Sequence, residues 1–400
     1  MQTWSEPWSI GGANMASEST RPTLAIVSTD IRRDLVAPMR CFERLHIVHY
    51  YRYAPYGDLA PEDMDGSLLR YTSPRDLFWQ LERARPDIVQ GVEPFSFRLL
   101  PYQAAISLYT RLRGVPLFAG AHIGRPLHIK YGRLPALLLR VLAQSCLRST
   151  RLFFYLNEGA RRNLLWLGVP EAKLVRHMYG TWGIDPDEFT PLRDGREPKW
   201  QQEPVLLFVG RIHAEKGIFD LLEAYGQIRC LAPAVHLAVI GDGPQRGQVE
   251  RLVHEKGWHD YVHLLGTVKN RDLPPYFRAA TLFVSPAVAT RRWEEYVGMT
   301  NLQAMACGLP VISTRSGAIP EYVPETAGVL VPEHDPEALA AAVLCLLPDE
   351  ARRREMGQAG RSHAARHYDA RKNVQLAERI ILERCLPTWE PGHAGEGQTS

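Results

Sequence analysis

Residues 204–217, PVLLFVGRIHAEKG, join an apolar run, VLLFV, to a turn holding Gly210, Arg211, Lys216 and Gly217. A short continuous apolar run that ends on glycine reads as a strand buried on both faces, the kind found in parallel sheets covered by helices. The pattern then recurs: VHLAVIG (235–241), YVHLLGTV (261–268), TLFVSP (281–286), LPVISTRSG (309–317) and AGVLVP (327–332) alternate with helix-length segments. This alternation predicts a Rossmann-like α/β domain over residues 205–365.

Working outward, the same grammar appears upstream in TLAIVS (23–28), HIVHYY (46–51), PDIVQGVE (86–93), VPLFAGAH (115–122) and RLFFYLN (151–157). It predicts a second Rossmann-like domain over 22–188, joined to the first by a Pro-, Gln- and charge-rich linker at 189–204. Residues 337–385 are helical in pattern with a turn at Pro348 and Asp349, and a final helix over 366–386 is expected to pack back across both domains. The polar ends, 1–21 and 387–400, are expected to be a disordered extension and tail. In paired open α/β sheets ligands bind beyond the carboxyl ends of the strands, so motifs at strand ends carry the functional reading.

Composition narrows the classes further. With 400 residues, 45% hydrophobic and 23% charged, the chain is an ordinary globular one, and a net charge of +3 without a recognition motif gives no ground for nucleic acid. Six cysteines form no CxxC pair, so neither a zinc site nor a disulfide framework is indicated, and a reducing cytoplasm is the simplest setting. The longest apolar stretch, 134–147, is broken by Arg140 and is shorter than the roughly 20 residues a membrane span needs.

Three motifs bear on chemistry. In the first, Arg211 could grip diphosphate oxygens bidentately while Lys216 supplies a mobile point charge; a solvated turn with a surface ion pair is the alternative. The second, VIGDGPQRGQVERL (239–252), reads chiefly as a tight strand-to-helix turn. The third is EYVGMTNLQAMACGLPV (295–311). Here Gly298 permits close backbone approach, and the free N–H groups of Gly298, Met299 and Thr300 at a helix start suit an anion. Glu295, an acceptor when ionised, suits sugar hydroxyls. Gln303 completes a capping-box pattern with Thr300, so helix capping and ligand contact both stay open for it.

The order FVGRIHAEKG, VIGDGP, GTVKNRDLPPYFRAA and EYVGMTNLQAMACGLPVISTRSGAIPEYV resembles glycosyltransferase family 4, the retaining group with the GT-B fold of two Rossmann-like domains facing a cleft. The resemblance is strongest over 205–332 and weakens in the amino-terminal domain. It implies transfer of a hexosyl unit from a nucleotide diphosphate sugar to an acceptor hydroxyl, with the nucleotide sugar as substrate and no metal or resident cofactor. It also implies that Arg211 and Lys216 bind the diphosphate and Glu295 the donor sugar. Gly210 and Gly298 to Thr300 would lie at the phosphates, Gly266 and Val268 near the base, and His122, in AGAHIG, opposite the donor sugar.

Two departures stand out. Gln303 occupies the position of a second glutamate that accepts from ribose hydroxyls, and STDIRRD (28–34) replaces the glycine-rich loop after the first strand, Gly11 and Gly12 lying upstream of it. Arg32 or Arg33 is a candidate to supply the missing positive charge. These departures keep open a non-catalytic sugar-nucleotide binding subunit, beside a GT-B phosphorylase or epimerase; a dinucleotide oxidoreductase fits less well because no GxGxxG opens either domain.

From Pro94 to Asn157 there is no Asp or Glu, while Arg98, Arg111, Arg113, Arg125, Lys130, Arg133, Arg140, Arg148 and Arg151 all fall there. Such a domain suits an anionic or lipid-linked acceptor, or peripheral contact with the anionic inner face of a membrane. The simpler expectation for LPALLLRVLAQSCL (134–147) is a buried helix whose arginines reach out to water.

Overall fold

The computed structural model describes residues 21–53, 59, 68–198 and 203–389. The expected extension up to residue 20 with Gly11 and Gly12, the tail from 390 onward, and residues 199–202 of the expected linker lie outside the described residues.

Two parallel sheets form the molecule. The first is built from β1 (Thr23–Val27), β2 (His46–Tyr51), β3 (Leu68–Arg70), β4 (Ile88–Gly91), β5 (Leu117–Ala121), β6 (Thr150–Tyr155) and β7 (Leu174–Arg176) in the spatial order β3-β2-β1-β4-β5-β6-β7. The second contains β8 (Val205–Val209), β9 (His236–Ile240), β10 (Val262–Gly266), β11 (Leu282–Ser285), β12 (Val311–Thr314) and β13 (Gly328–Val331), ordered β10-β9-β8-β11-β12-β13. Both orders reverse direction beside the first strand, between β1 and β4 and between β8 and β11. Those are the switch points where doubly wound sheets open a crevice.

The run VLLFV explains how the second domain packs. Its alternate residues Leu206 and Phe208 join the cluster that includes Leu221 and Tyr225 of the helix Ile218–Leu231. Val205, Leu207 and Val209 point the other way, into the cluster that includes Leu302 and Met305 of the helix Met299–Ala306. Gly217 carries a φ of 72°, and a Cβ there would stand 1.7 Å from the carbonyl oxygen of Pro286, so the turn that presents Lys216 tolerates only glycine.

The chain's last helix crosses over. It runs Ala370–Cys385, later than the expected start at 366, because the preceding helix extends to His367 and Asp369 caps the new one by accepting from the N–H groups of Arg371 and Lys372. Val374, Ala377 and Ile381 bury against Leu24 and Ile26 of β1. Its buried Glu378 accepts from the backbone N–H groups of Arg44 at 2.7 Å and Leu45 at 2.9 Å, so the carboxylate replaces lost water with donors.

The helix Arg133–Ser149 departs from expectation. Ala136, Leu139, Ala143 and Leu147 are buried, but Leu134 (79% exposed), Leu137, Leu138, Val141 (69%) and Leu142 face outward. Apolar residues lie on two faces, and the described residues cover only one of them.

Candidate active site

The two switch points face each other across a cleft of about 600 Å³. From the first sheet it is lined by Ser28 and Asp30 after β1, Glu93 after β4 and His122 after β5. From the second it receives Gly210 and Arg211 after β8, Lys216, Glu295 and the start of the helix Met299–Ala306.

The cations are already engaged. Lys216 Nζ donates to Glu295 Oε2 at 2.7 Å, with both side chains largely covered, and it sits 4.5 Å from the centre of the Trp293 ring. Arg211 pairs with Glu215, four residues on across the turn, and is more than half exposed. Gly298, at φ 79°, precedes the helix, leaving the N–H groups of Met299 and Thr300 at the cleft without intrahelical partners. Arg211, Lys216 and these N–H groups therefore converge on one wall, with Glu295 beside them, an arrangement of donors and cations that can receive an anion.

His122 stands on the opposite wall. Its Nε2 is 3.3 Å from the carbonyl of Tyr179, and its backbone N–H, with that of Ile123, donates to Glu93 Oε1 at 2.8 Å. Glu93 thus fixes the loop that presents the imidazole. The sequence reading passed over this residue, although a carboxylate two positions after a switch-point strand is a signal of the same kind as His122. Beside it, Ser28 Oγ lies 2.7 Å from Nε2 of His49, whose burial lowers its pKa to about 4.

Some expected site residues stand apart. Gly266 ends the edge strand β10, where its carbonyl accepts from Gly241 N–H at 2.7 Å, and Val268 packs against the core; neither lines the cleft. Gln303 is not a capping residue. The helix begins at Met299 with no side-chain cap, so Thr300 already lies inside it, and the buried Gln303 donates instead from Nε2 to Asn270 Oδ1 at 3.4 Å. It opens onto a smaller adjoining cavity of about 130 Å³ that shares Met299 with the main cleft. Arg32 lines the main cleft, paired with Asp34 at 2.9 Å; Arg33 faces the smaller cavity, paired with Glu188 at 3.4 Å.

The walls are tied together. Asn157 Nδ2 donates to the carbonyls of His122 at 2.9 Å and Tyr296 at 3.1 Å, one from each domain. Arg125 Nη1 lies 3.5 Å from Glu294 Oε2; burial pushes the Glu294 carboxyl up while Arg125 pulls it down.

Comparison with known proteins bears on this geometry. Residues 193–363 match the family described as glycosyl transferases group 1. That part of the chain is a glycosyl transferases group 1 domain. The chain is 32% identical over 212 residues to a GDP-mannose-dependent alpha-(1-6)-phosphatidylinositol monomannoside mannosyltransferase of Mycolicibacterium smegmatis, covering 50% of this chain and 55% of that protein. It is 26% identical over 313 residues to the sulfoquinovosyl transferase SQD2 of Arabidopsis thaliana, covering 75% of this chain and 57% of that protein. The chain spans about half the length of the curated relatives it matches. Among solved structures it resembles a sucrose-phosphate synthase from Thermosynechococcus elongatus (TM-score 0.69, 20% identity, 91% of this chain and 99% of that one). It also resembles Anabaena HepE, solved with UDP and glucose (TM-score 0.70, 16% identity, 90% and 99%). The described chain has the GT-B fold, and the matched region supplies the cleft wall that carries Arg211, Lys216 and Glu295.

Proposed function

We propose that the protein transfers a hexosyl unit from a nucleotide diphosphate sugar to an acceptor hydroxyl with retention of anomeric configuration. The observation that carries the reading is the convergence of Arg211, Lys216 and the helix start at Met299 on one wall, with His122 facing them across the cleft. The diphosphate sits against that wall, where two cations and the helix start offset the charge that grows as the C1–O bond to phosphate breaks. The new C1–O bond forms to the acceptor on the same face, and the acceptor's proton passes to the departing phosphate oxygen. Glu295 accepts from donor-sugar hydroxyls, His122 bounds the sugar from the other domain, and no metal takes part. The base and ribose extend past Met299 toward Gln303 and the end of β10. The phosphatidylinositol monomannoside in the name of the Mycolicibacterium smegmatis relative, together with the cationic stretch 94–157, favours an anionic, lipid-linked acceptor.

The test has two stages. UDP-, GDP- and ADP-sugars are screened for thermal stabilisation, and the stabilising donor is then incubated in EDTA with extracted anionic lipids. Transfer of labelled sugar with an axial or equatorial linkage matching the donor supports the reading. Donor binding without transfer to any lipid fraction, or transfer with inversion, overturns it.

A further inference from the structure

Beyond the cleft, the geometry points to a membrane-docking face on the amino-terminal domain, shaped for the surface of an anionic bilayer. On the helix Arg133–Ser149 the outward residues Leu134, Leu137, Leu138, Val141 and Leu142 follow i, i+3, i+4, i+7, i+8 spacing, which makes one continuous apolar stripe. The neighbouring helix Leu100–Arg113 extends the patch with exposed Leu108 and Leu112, and Arg111 bonds across to the carbonyl of Ser145, locking the two helices side by side. Seven exposed leucine and valine side chains on two neighbouring helices mark an interaction site.

The charges around it select the occupant. Arg98, Arg111, Arg133 and Arg148 are exposed, and no carboxylate occurs anywhere in 94–157. A two-fold contact with a second copy would set this face against itself, arginine opposite arginine with no carboxylate of the segment between them. An anionic lipid surface answers both features: acyl chains take the leucines and headgroups take the guanidinium groups, as for an interfacial amphipathic helix. No helix among the described residues is long and apolar enough to cross a membrane, so the contact is lateral. The stripe begins beside the cleft: the short helix Leu127–Tyr131 connects the His122 loop to Arg133, and Arg291, on the loop that leads to Glu295, donates to the Ile129 carbonyl at 3.4 Å. Docked this way, the protein holds its cleft next to lipid headgroups. That use rests on the lipid-linked acceptor proposed above; the docking itself does not.

The full chain, without donor or acceptor, is floated with vesicles of pure phosphatidylcholine and of phosphatidylcholine containing phosphatidylglycerol. Binding to the anionic vesicles at least about tenfold above the neutral ones is expected, each rim arginine near the surface being worth roughly fivefold. Leu134→Ser with Leu138→Ser and Val141→Ser should lower binding at least about tenfold while circular dichroism and melting stay unchanged, because the side chains touch solvent. Arg133→Gln with Arg148→Gln should erase the preference for anionic vesicles. Equal binding to both vesicles, no binding to either, or a dimer that the serine variant converts to monomer would each overturn the proposal. Because neither substrate is present, failure here leaves sugar transfer standing, and failure of transfer leaves the docking result intact.

Discussion

Gln303→Glu changes one atom type at a position that the fold buries. The amide donates to Asn270 Oδ1 at 3.4 Å, a long and weak bond, and the Asn270 side chain can turn its own amide toward a carboxylate instead. The local cost of losing that donor is therefore under about 1 kcal/mol. The larger cost to the ligand-free protein is the charge itself, since Gln303 is only 5% exposed. If ribose hydroxyls donate to this side chain, a charged acceptor strengthens each bond from roughly 1 to about 2 kcal/mol, which tightens the donor about five- to tenfold. Calorimetry of donor binding should show that drop in Kd, turnover number within about twofold of the parent, and a lower melting temperature without ligand. The gain should fade as the pH falls and the new carboxyl takes up a proton. An unchanged Kd, or a changed turnover number at constant Kd, would refute the assignment of Gln303 to the ribose.

Two further outcomes follow, one from two buried histidines, His49 of β2 and His177 directly after β7, and one from Glu295. Burial lowers the pKa of both His49 and His177 to about 4 from an ordinary 6.5, so between those values the unfolded chain binds the extra protons and stability falls as pH falls. Each contributes a loss of about 2 kcal/mol by about pH 5, seen as a lower urea midpoint than at about pH 7.5 and partly removed by His49→Gln or His177→Gln. Glu295→Gln should narrow the difference in affinity between the full donor and the bare nucleoside diphosphate by about five- to thirtyfold, measured by calorimetry with both ligands; an unaltered ratio contradicts it.

The sheets were legible because the longer strands are short, largely apolar runs ending near Gly, Pro or a polar turn, as VLLFV does before Gly210. The edge strands Leu68–Arg70 and Leu174–Arg176 escaped notice because three half-exposed residues carry no period. That Arg211, Lys216, Glu295 and His122 face one cleft was legible because the loops after β8, β11 and β5 all leave the carboxyl edges of the two sheets. Of the two readings of Gln303, capping falls away because a capping box depends on where the helix starts, and Gly298 starts it two residues before Thr300. The outward stripe from Leu134 was hidden for a different reason: an apolar helix shows in sequence, but which of its faces a neighbour covers is settled only in three dimensions.

On the proposed donor placement, the pairing of Lys216 with Glu295 couples the two halves of the donor. In the ligand-free cleft each satisfies the other at 2.7 Å, both largely out of water. A diphosphate that recruits Lys216 draws it from Glu295, and the stranded carboxylate, still partly open to the cleft, costs about 1–2 kcal/mol unless hydroxyls donate to it. A complete nucleotide sugar brings those hydroxyls; the nucleoside diphosphate left after transfer does not. The same contact therefore favours the substrate over the product and speeds product departure without weakening the grip on the transferring group. Glu295→Gln removes the penalty, since a neutral amide no longer needs Lys216, and so the preference between the two ligands collapses while each can still reach Arg211 and the helix start.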